Sequence, residues 1–156
     1  MRLDLTARRN LELLETMRNK EKRGSLLGVL DKTKTAMGKR LIRSWIEQPL
    51  INAAQISRRH NAVDELVHDT ILRGDLNELL TEIYDLERIM TRIVYGSANA
   101  KELRSLSRTI AHMAPIKQRL QGVKSALLVE IEQDIDPLED IYQLIESAIE
   151  DDPPFT

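Results

Sequence analysis

Cysteine is absent from the 156-residue chain. That excludes disulfide frameworks, thiolate zinc sites and cysteine nucleophiles together, and it suits a reducing cytosol. Aromatic residues are scarce at 3%, and none is interleaved with the basic run Arg18–Arg23, which argues against a platform on which single-stranded bases stack. No uncharged apolar run approaches the roughly 18 residues that a membrane span needs. The charged opening (Arg2, Asp4, Arg8, Arg9) is not a signal peptide. What is present is ordinary for an ordered protein: 42% hydrophobic and 31% charged residues. The length fits one domain, which would bury about 70% of the surface of the extended chain.

Net charge is −2, but the charges are sorted along the chain. Residues 1–50 hold twelve Lys/Arg against six Asp/Glu, a net of +6; residues 51–100 carry −3 and residues 101–156 carry −5. A basic beginning and an acidic end fit either a nucleic-acid footprint or complementarity between the two ends.

The hydrophobic pattern is helical nearly throughout. Thr35–Gln48 is the best-punctuated segment: Thr35 is an N-cap residue, and Pro49 drives its predecessor out of the helical region. Met37, Leu41, Trp45 and either Ile42 or Ile46 are expected on its core face. Gly38 lies inside that helix at a cost of about 1 kcal/mol relative to Ala; either a neighbouring backbone approaches there or the glycine is simply tolerated. Further stripes are Ile56/Val63/Leu66/Val67, Leu72/Leu76/Leu79/Leu80 and Ile83/Leu86/Met90/Ile93/Val94, the last stopping at Gly96. Leu103/Leu106/Ile110/Met113/Leu120 follows, with Arg104, Arg108 and Lys117 on other faces and a break near His112–Ala114 imposed by Pro115. A final acidic helix over Pro137–Glu150 is opened by its proline. Arg2-Leu3-Asp4-Leu5 alternates like a short strand, yet no partner strand is present. That lack, and the proline-bearing exit Asp151–Thr156, suggest a piece of something larger.

Chemistry is hard to find. His60, His68 and His112 lack metal-binding spacing. Gly24-Ser25-Leu26-Leu27-Gly28 is neither a phosphate loop nor a nucleophile elbow. The Asp134–Asp140 stretch loosely resembles a calcium loop but lacks its central glycine. A carboxylate-bound metal enzyme is therefore the weakest reading. Arg18, Lys20, Lys22 and Arg23 form one basic stretch, and Lys39, Arg40 and Arg43 line a helix face. Lys20, Lys22 and Arg23 are candidates for weak phosphate contact, which needs charge alone.

Three blocks carry a resemblance: Leu3–Leu13 (LDLTARRNLEL), Gly24–Leu27 (GSLL) and Thr35–Leu50 (TAMGKRLIRSWIEQPL). With Ile56–Arg59, Asn61–Leu66, Asp85–Ile93 and the closing Asp151–Thr156, the chain resembles the core, or lever, domain of the MutS DNA mismatch-repair proteins over nearly its whole length. The resemblance implies an all-α multi-helix bundle over residues 1–156, with mismatch-binding, clamp and ATPase domains outside it. It implies no catalytic, cofactor or metal residue here; ATP and magnesium belong to the absent ATPase domain. It also implies sister domains, a parent homodimer and mismatched duplex DNA as partners through the parent, no membrane, and a bacterial cytoplasm. Gly38, Arg40, Trp45 and Pro49 are expected as a structural hub and interdomain contact, with Arg40 half-buried or at a domain contact and paired with a carboxylate, and Trp45→Ala costing about 3–5 kcal/mol if the ring is core. The alternative is an autonomous basic DNA-binding helical module.

Overall fold

The structure, a computed structural model, describes residues 4–154. All the elements it contains among them are helices, and the chain divides into two compact units at Ser57/Arg58. Residues 51–57 carry no charge, so unit 1 keeps the net +6 and unit 2 holds −8.

In unit 1, α1 (Leu5–Asn10) begins where Asp4 accepts the Ala7 amide at 2.6 Å. The strand expected over Arg2–Leu5 is corrected by that contact. Arg2 and Leu3 lie outside the described residues, and Asp4 and Leu5 cap and open a helix. Four alternating residues without a partner strand cannot outweigh a capping aspartate. The short α2 (Leu26–Leu30) is capped by Ser25 and packs against α3 (Ala36–Glu47). As expected, Thr35 caps α3, accepting the Gly38 amide at 2.9 Å, and the helix ends at Gln48 ahead of Pro49. Among its described large apolar side chains, unit 1 buries only Leu13 and Leu27, whereas nine stand exposed: Leu5, Leu11, Met17, Leu26, Val29, Leu30, Leu41, Trp45 and Ile51.

Unit 2 contains most of α4 (Ala53–His68), then α5 (Thr70–Thr81), α6 (Leu86–Val94), α7 (Ala100–Ala111), α8 (Met113–Leu120), α9 (Ala126–Asp134) and α10 (Glu139–Ala148). Polar caps divide the chain here. Asp69 and Asp85 cap α5 and α6, and Asn99 forms a reciprocal capping box with Glu102. α6 stops as its glycine requires. Gly96 sits at φ +65°, its amide donating to the Ile93 carbonyl and that of Ser97 to the Arg92 carbonyl, the paired bonds that close a helix end. The Pro115 break falls at His112, leaving the proline in the first turn of α8, where its missing donor costs nothing.

Two apolar clusters hold unit 2. Ala62, Ile116, Leu120 and Leu128 form one, joining α4, α8 and α9, with Leu76 and Leu79 of α5 packed on it. Ile89, Leu106, Ile110 and Ile145 form the other, joining α6, α7 and α10. The last helix starts two residues after Pro137, because Leu138 turns through φ +51° with its amide on Asp136 Oδ1 at 3.0 Å. That left-handed turn costs about 1 kcal/mol for a side-chain-bearing residue and places Leu138 against the second cluster.

Candidate interaction surfaces

The glycine-flanked turn before α2 is a structural knot. Ser25 is 1% exposed; its hydroxyl accepts the Gly28 amide at 3.1 Å and shares its proton between the carbonyls of Lys22 (2.7 Å) and Leu14 (3.0 Å). The Leu26 and Leu27 amides donate to the carbonyls of Glu12 (3.1 Å) and Leu13 (2.8 Å). The first three amides of α2, which a phosphate would need, are thus already taken. Nearby, Lys22 Nζ pairs with Asp31, which also accepts the Thr33 hydroxyl at 2.6 Å. Lys22 first, then Thr33, pull the Asp31 carboxyl down to about 2, so that carboxylate stays ionised at any ordinary pH.

An open cleft of about 410 Å³ lies beside this knot. Leu5, Leu14 and Met17 give it an apolar lining, and Arg8, Arg9, Lys20 and Arg43 bring four cations to it. Glu47, at the end of α3, accepts from Arg43 Nε at 3.3 Å and lies 3.8 Å from Arg8 Nη1. Glu15 is the second carboxylate of the lining.

In unit 2 the polar centre is Arg104 on α7, only 7% exposed. Its Nη1 donates to Glu146 Oε1 of α10 at 2.6 Å, and Nη2 reaches Asp151 just beyond that helix. Ser107, fully buried, donates to the same Glu146 oxygen. The Ser107 hydroxyl first and Arg104 second hold the Glu146 carboxyl below its usual range. Thr109, also fully buried, receives the Tyr84 amide at 3.1 Å and so fixes the turn into α6. Glu65 of α4 accepts the amides of Lys124 (2.7 Å) and Ser125 (2.8 Å), which holds the entry to α9, a helix whose own serine makes no side-chain cap. Ser125 and then Lys124 keep that carboxyl low.

Comparison with known proteins decides what this arrangement belongs to. A family model described as MutS domain III matches residues 6–156. The chain belongs to the MutS domain III family. It is 52% identical, over 153 residues, to the DNA mismatch repair protein MutS of Alkaliphilus oremlandii, covering 98% of this chain and 17% of that protein. The proteins of the same name from Symbiobacterium thermophilum (48%) and Clostridium tetani (49%) match over 154 residues, 99% of this chain and 18% of each relative. The chain therefore spans under a fifth of the length of these curated relatives.

Within this MutS domain III chain, the basic stretch does not act as one patch. Lys20 enters the cleft, held at φ +52°, while Lys22 is committed to Asp31 and Arg23 is exposed outside the cleft lining. Arg8, Arg9 and Arg43 are the cations that join Lys20, from segments that no local pattern links. The α3 hub needs two corrections. The neighbours that crowd Gly38 are Thr33 and Thr35 of its own capping turn, since an added Cβ would lie 3.0 Å from Thr35 Oγ1 and 3.2 Å from Thr33 Cβ. Trp45 is 40% exposed and Leu41 52% exposed, whereas Met37, Ile42 and Ile46 of the same helix are half-buried, so the face is only partly covered. Arg40 is exposed and Pro49 half-buried. Trp45→Ala is accordingly expected to cost about 1–2 kcal/mol, measured by urea unfolding of the 156-residue chain; a loss of 3 kcal/mol or more would restore the buried-ring assignment.

Other candidates in the MutS domain III chain have plain structural roles. His68 and His112 place Nδ1 2.8 and 2.7 Å from the carbonyls of Asp64 and Arg108 in their own helical turns, and His60 is exposed. Among the described residues no group of three or more His, Cys, Asp or Glu could hold a metal ion. The calcium-like stretch is clasped instead by Lys117, whose ammonium donates to the Ile135 carbonyl at 2.7 Å. No helix of the described residues is long and apolar enough to cross a membrane.

Proposed function

We propose that residues 1–156 serve as the helical core, or lever, of a longer MutS DNA mismatch-repair protein, relaying displacement between DNA-binding and ATP-binding parts and performing no chemistry themselves. The supporting observation is the MutS domain III match over residues 6–156. On this reading ATP and magnesium are held outside this chain; the lack of a glycine–lysine phosphate loop in its sequence and the engagement of the first α2 amides by the chain itself support that. Nucleotide would act from another part of the parent, with sister domains, a second parent subunit and mismatched duplex DNA as partners in a bacterial cytoplasm. Packed helices suit relay work, because close-packed clusters shift between discrete arrangements and do not deform continuously. Arg104 is the positioning residue of this reading: it ties α7 to α10 and to the chain beyond it.

Arg104→Lys in the full-length parent keeps the charge but loses the planar fork. Expected is a fall of about tenfold in mismatch-stimulated ATP hydrolysis, with unstimulated hydrolysis and mismatch binding within about twofold of the parent. Equal loss of all three, or no loss, would remove the relay reading.

The net +6 of unit 1 favours a second reading, an autonomous DNA-binding module. Against it, Lys22 and Arg43 already face carboxylates. Gel shift with this chain separates the two: duplex retention that persists above about 0.15 M salt would favour the module.

A further inference from the structure

We propose that residues 151–154, the stretch leaving α10, are a releasable strap: α7 holds them through an outer layer of ion contacts that opens while the α7–α10 packing beneath stays closed. The inference goes beyond the relay reading and stands without it, since it concerns motion within this chain, with neither DNA nor nucleotide present.

The base of the strap is anchored. Ile149 ends α10 in extended backbone, at φ −130° and ψ 130°, and packs against the second apolar cluster. Beyond it the chain follows α7 towards the start of that helix. Asp151 meets Nη2 of Arg104, and Asp152 Oδ1 lies 3.9 Å from Nζ of Lys101. Lys101 and Arg104 are three positions apart and so share one face of α7. Pro153 is buried, and it drives Asp152 out of the helical region, so α10 does not continue through the strap. Three successive residues are therefore engaged, two by charge and one by burial.

The contacts fall into two layers of unequal strength. In the inner one, Arg104 Nη1 donates to Glu146 Oε1 at 2.6 Å beside the fully buried Ser107, and Leu106, Ile110 and Ile145 pack together. In the outer one, the side chains of Asp151 and Asp152 are 93% and 97% exposed. Pairs so exposed contribute little each and weaken further as salt screens them. The Arg104 guanidinium presents separate nitrogens to the two layers. Asp151 can therefore leave Nη2 without breaking the Nη1 bond to Glu146. Opening the strap costs a small part of what parting the helices costs, which is the condition for a local, low-energy opening. Docked, the strap gives the chain one course along α7; open, it frees that course above an unchanged helix pair.

Nitrogen-15 relaxation of the 156-residue chain, in about 20 mM salt, reads the strap at the Asp151 and Asp152 amides. Expected are order parameters of about 0.8 in the parent chain, near those of α10, and below about 0.6 in Asp151→Ala with Asp152→Ala. That double variant leaves Arg104, Glu146 and Ser107 in place. Hydrogen-exchange protection at Leu106, Ile110 and Ile145 is accordingly expected to stay within about twofold of the parent. Order parameters already below about 0.6 in the parent would mean that no strap is held. Values unchanged by the double variant would mean that charge does not hold it. Protection at Ile110 and Ile145 lost together with the order of the strap would mean that the two layers open as one. Any of these three results overturns the proposal.

Discussion

Gly28→Ala is expected to destabilise unit 1 by about 3 kcal/mol or more, the upper end of what overpacking costs. The reason is backbone against backbone. A Cβ at position 28 would lie 2.2 Å from the Lys22 carbonyl oxygen and 3.1 Å from its carbon, about 1 Å inside the distance that a carbon and an oxygen tolerate. That oxygen cannot retreat cheaply. It accepts the Ser25 amide at 3.1 Å and the Ser25 hydroxyl at 2.7 Å, and Ser25 in turn caps Gly28. Relieving the overlap would pull apart the cap of α2 and its two bonds to Glu12 and Leu13 together. Trp45 is the sole tryptophan and lies in unit 1, so its emission during urea unfolding reads the effect directly. A midpoint unchanged from that of the parent chain would mean that the turn relaxes without cost. Gly74→Ala is a fitting control: position 74 is mid-helix in α5 and an added Cβ there meets nothing within 4 Å, so helix propensity alone should stabilise it by about 0.5–1 kcal/mol.

The contrast between those two glycines shows what a sequence discloses and what it withholds. Elements with local causes were legible: the Thr35 cap and Pro49 stop of α3, the Gly96 closure of α6, and the Pro115 break between α7 and α8. Each depends on residues within a turn of the event. Gly28 was silent, because what it touches is a carbonyl whose approach is set by bonds from residues 12–14. Arg104 misled for a similar reason. On a helical stripe it is another charged residue, and its partners lie 42 and 47 positions later. The nearby signal was Ser107, a polar residue one turn on and on the same face, which in the structure shares Glu146 with Arg104. The cleft was legible only in part. The basic stretch was visible, but Lys20 joins cations from α1 and α3, not its sequence neighbours. Trp45 misled in the opposite direction, since a regular apolar stripe says which face prefers burial and not how much of it is covered.

Removing the guanidinium of Arg104 should destabilise unit 2. Arg104→Ala is expected to cost about 1–3 kcal/mol, mostly lost packing of a side chain that is 7% exposed, because the Glu146 and Asp151 carboxylates keep their access to water. The loss has two parts: a cavity between α7 and α10, and a Glu146 carboxylate left with Ser107 as its nearest donor. Arg104→Met separates them by refilling the volume without the charge, and should recover part of the loss. The pH dependence has a definite sign. Glu146 has its carboxyl lowered from 4.5 by Ser107 and then Arg104, so its contribution is complete above the ordinary glutamate range and disappears as acid takes the pH down through that range toward the lowered value. Arg104→Ala removes one of the two leading causes of that lowering, so the variant should lose less stability than the parent chain between neutral and acid pH. Urea unfolding at a series of pH values, read by circular dichroism, gives both numbers. Parallel stability curves for parent and variant would show that the Arg104–Glu146 contact is held by packing and not by charge.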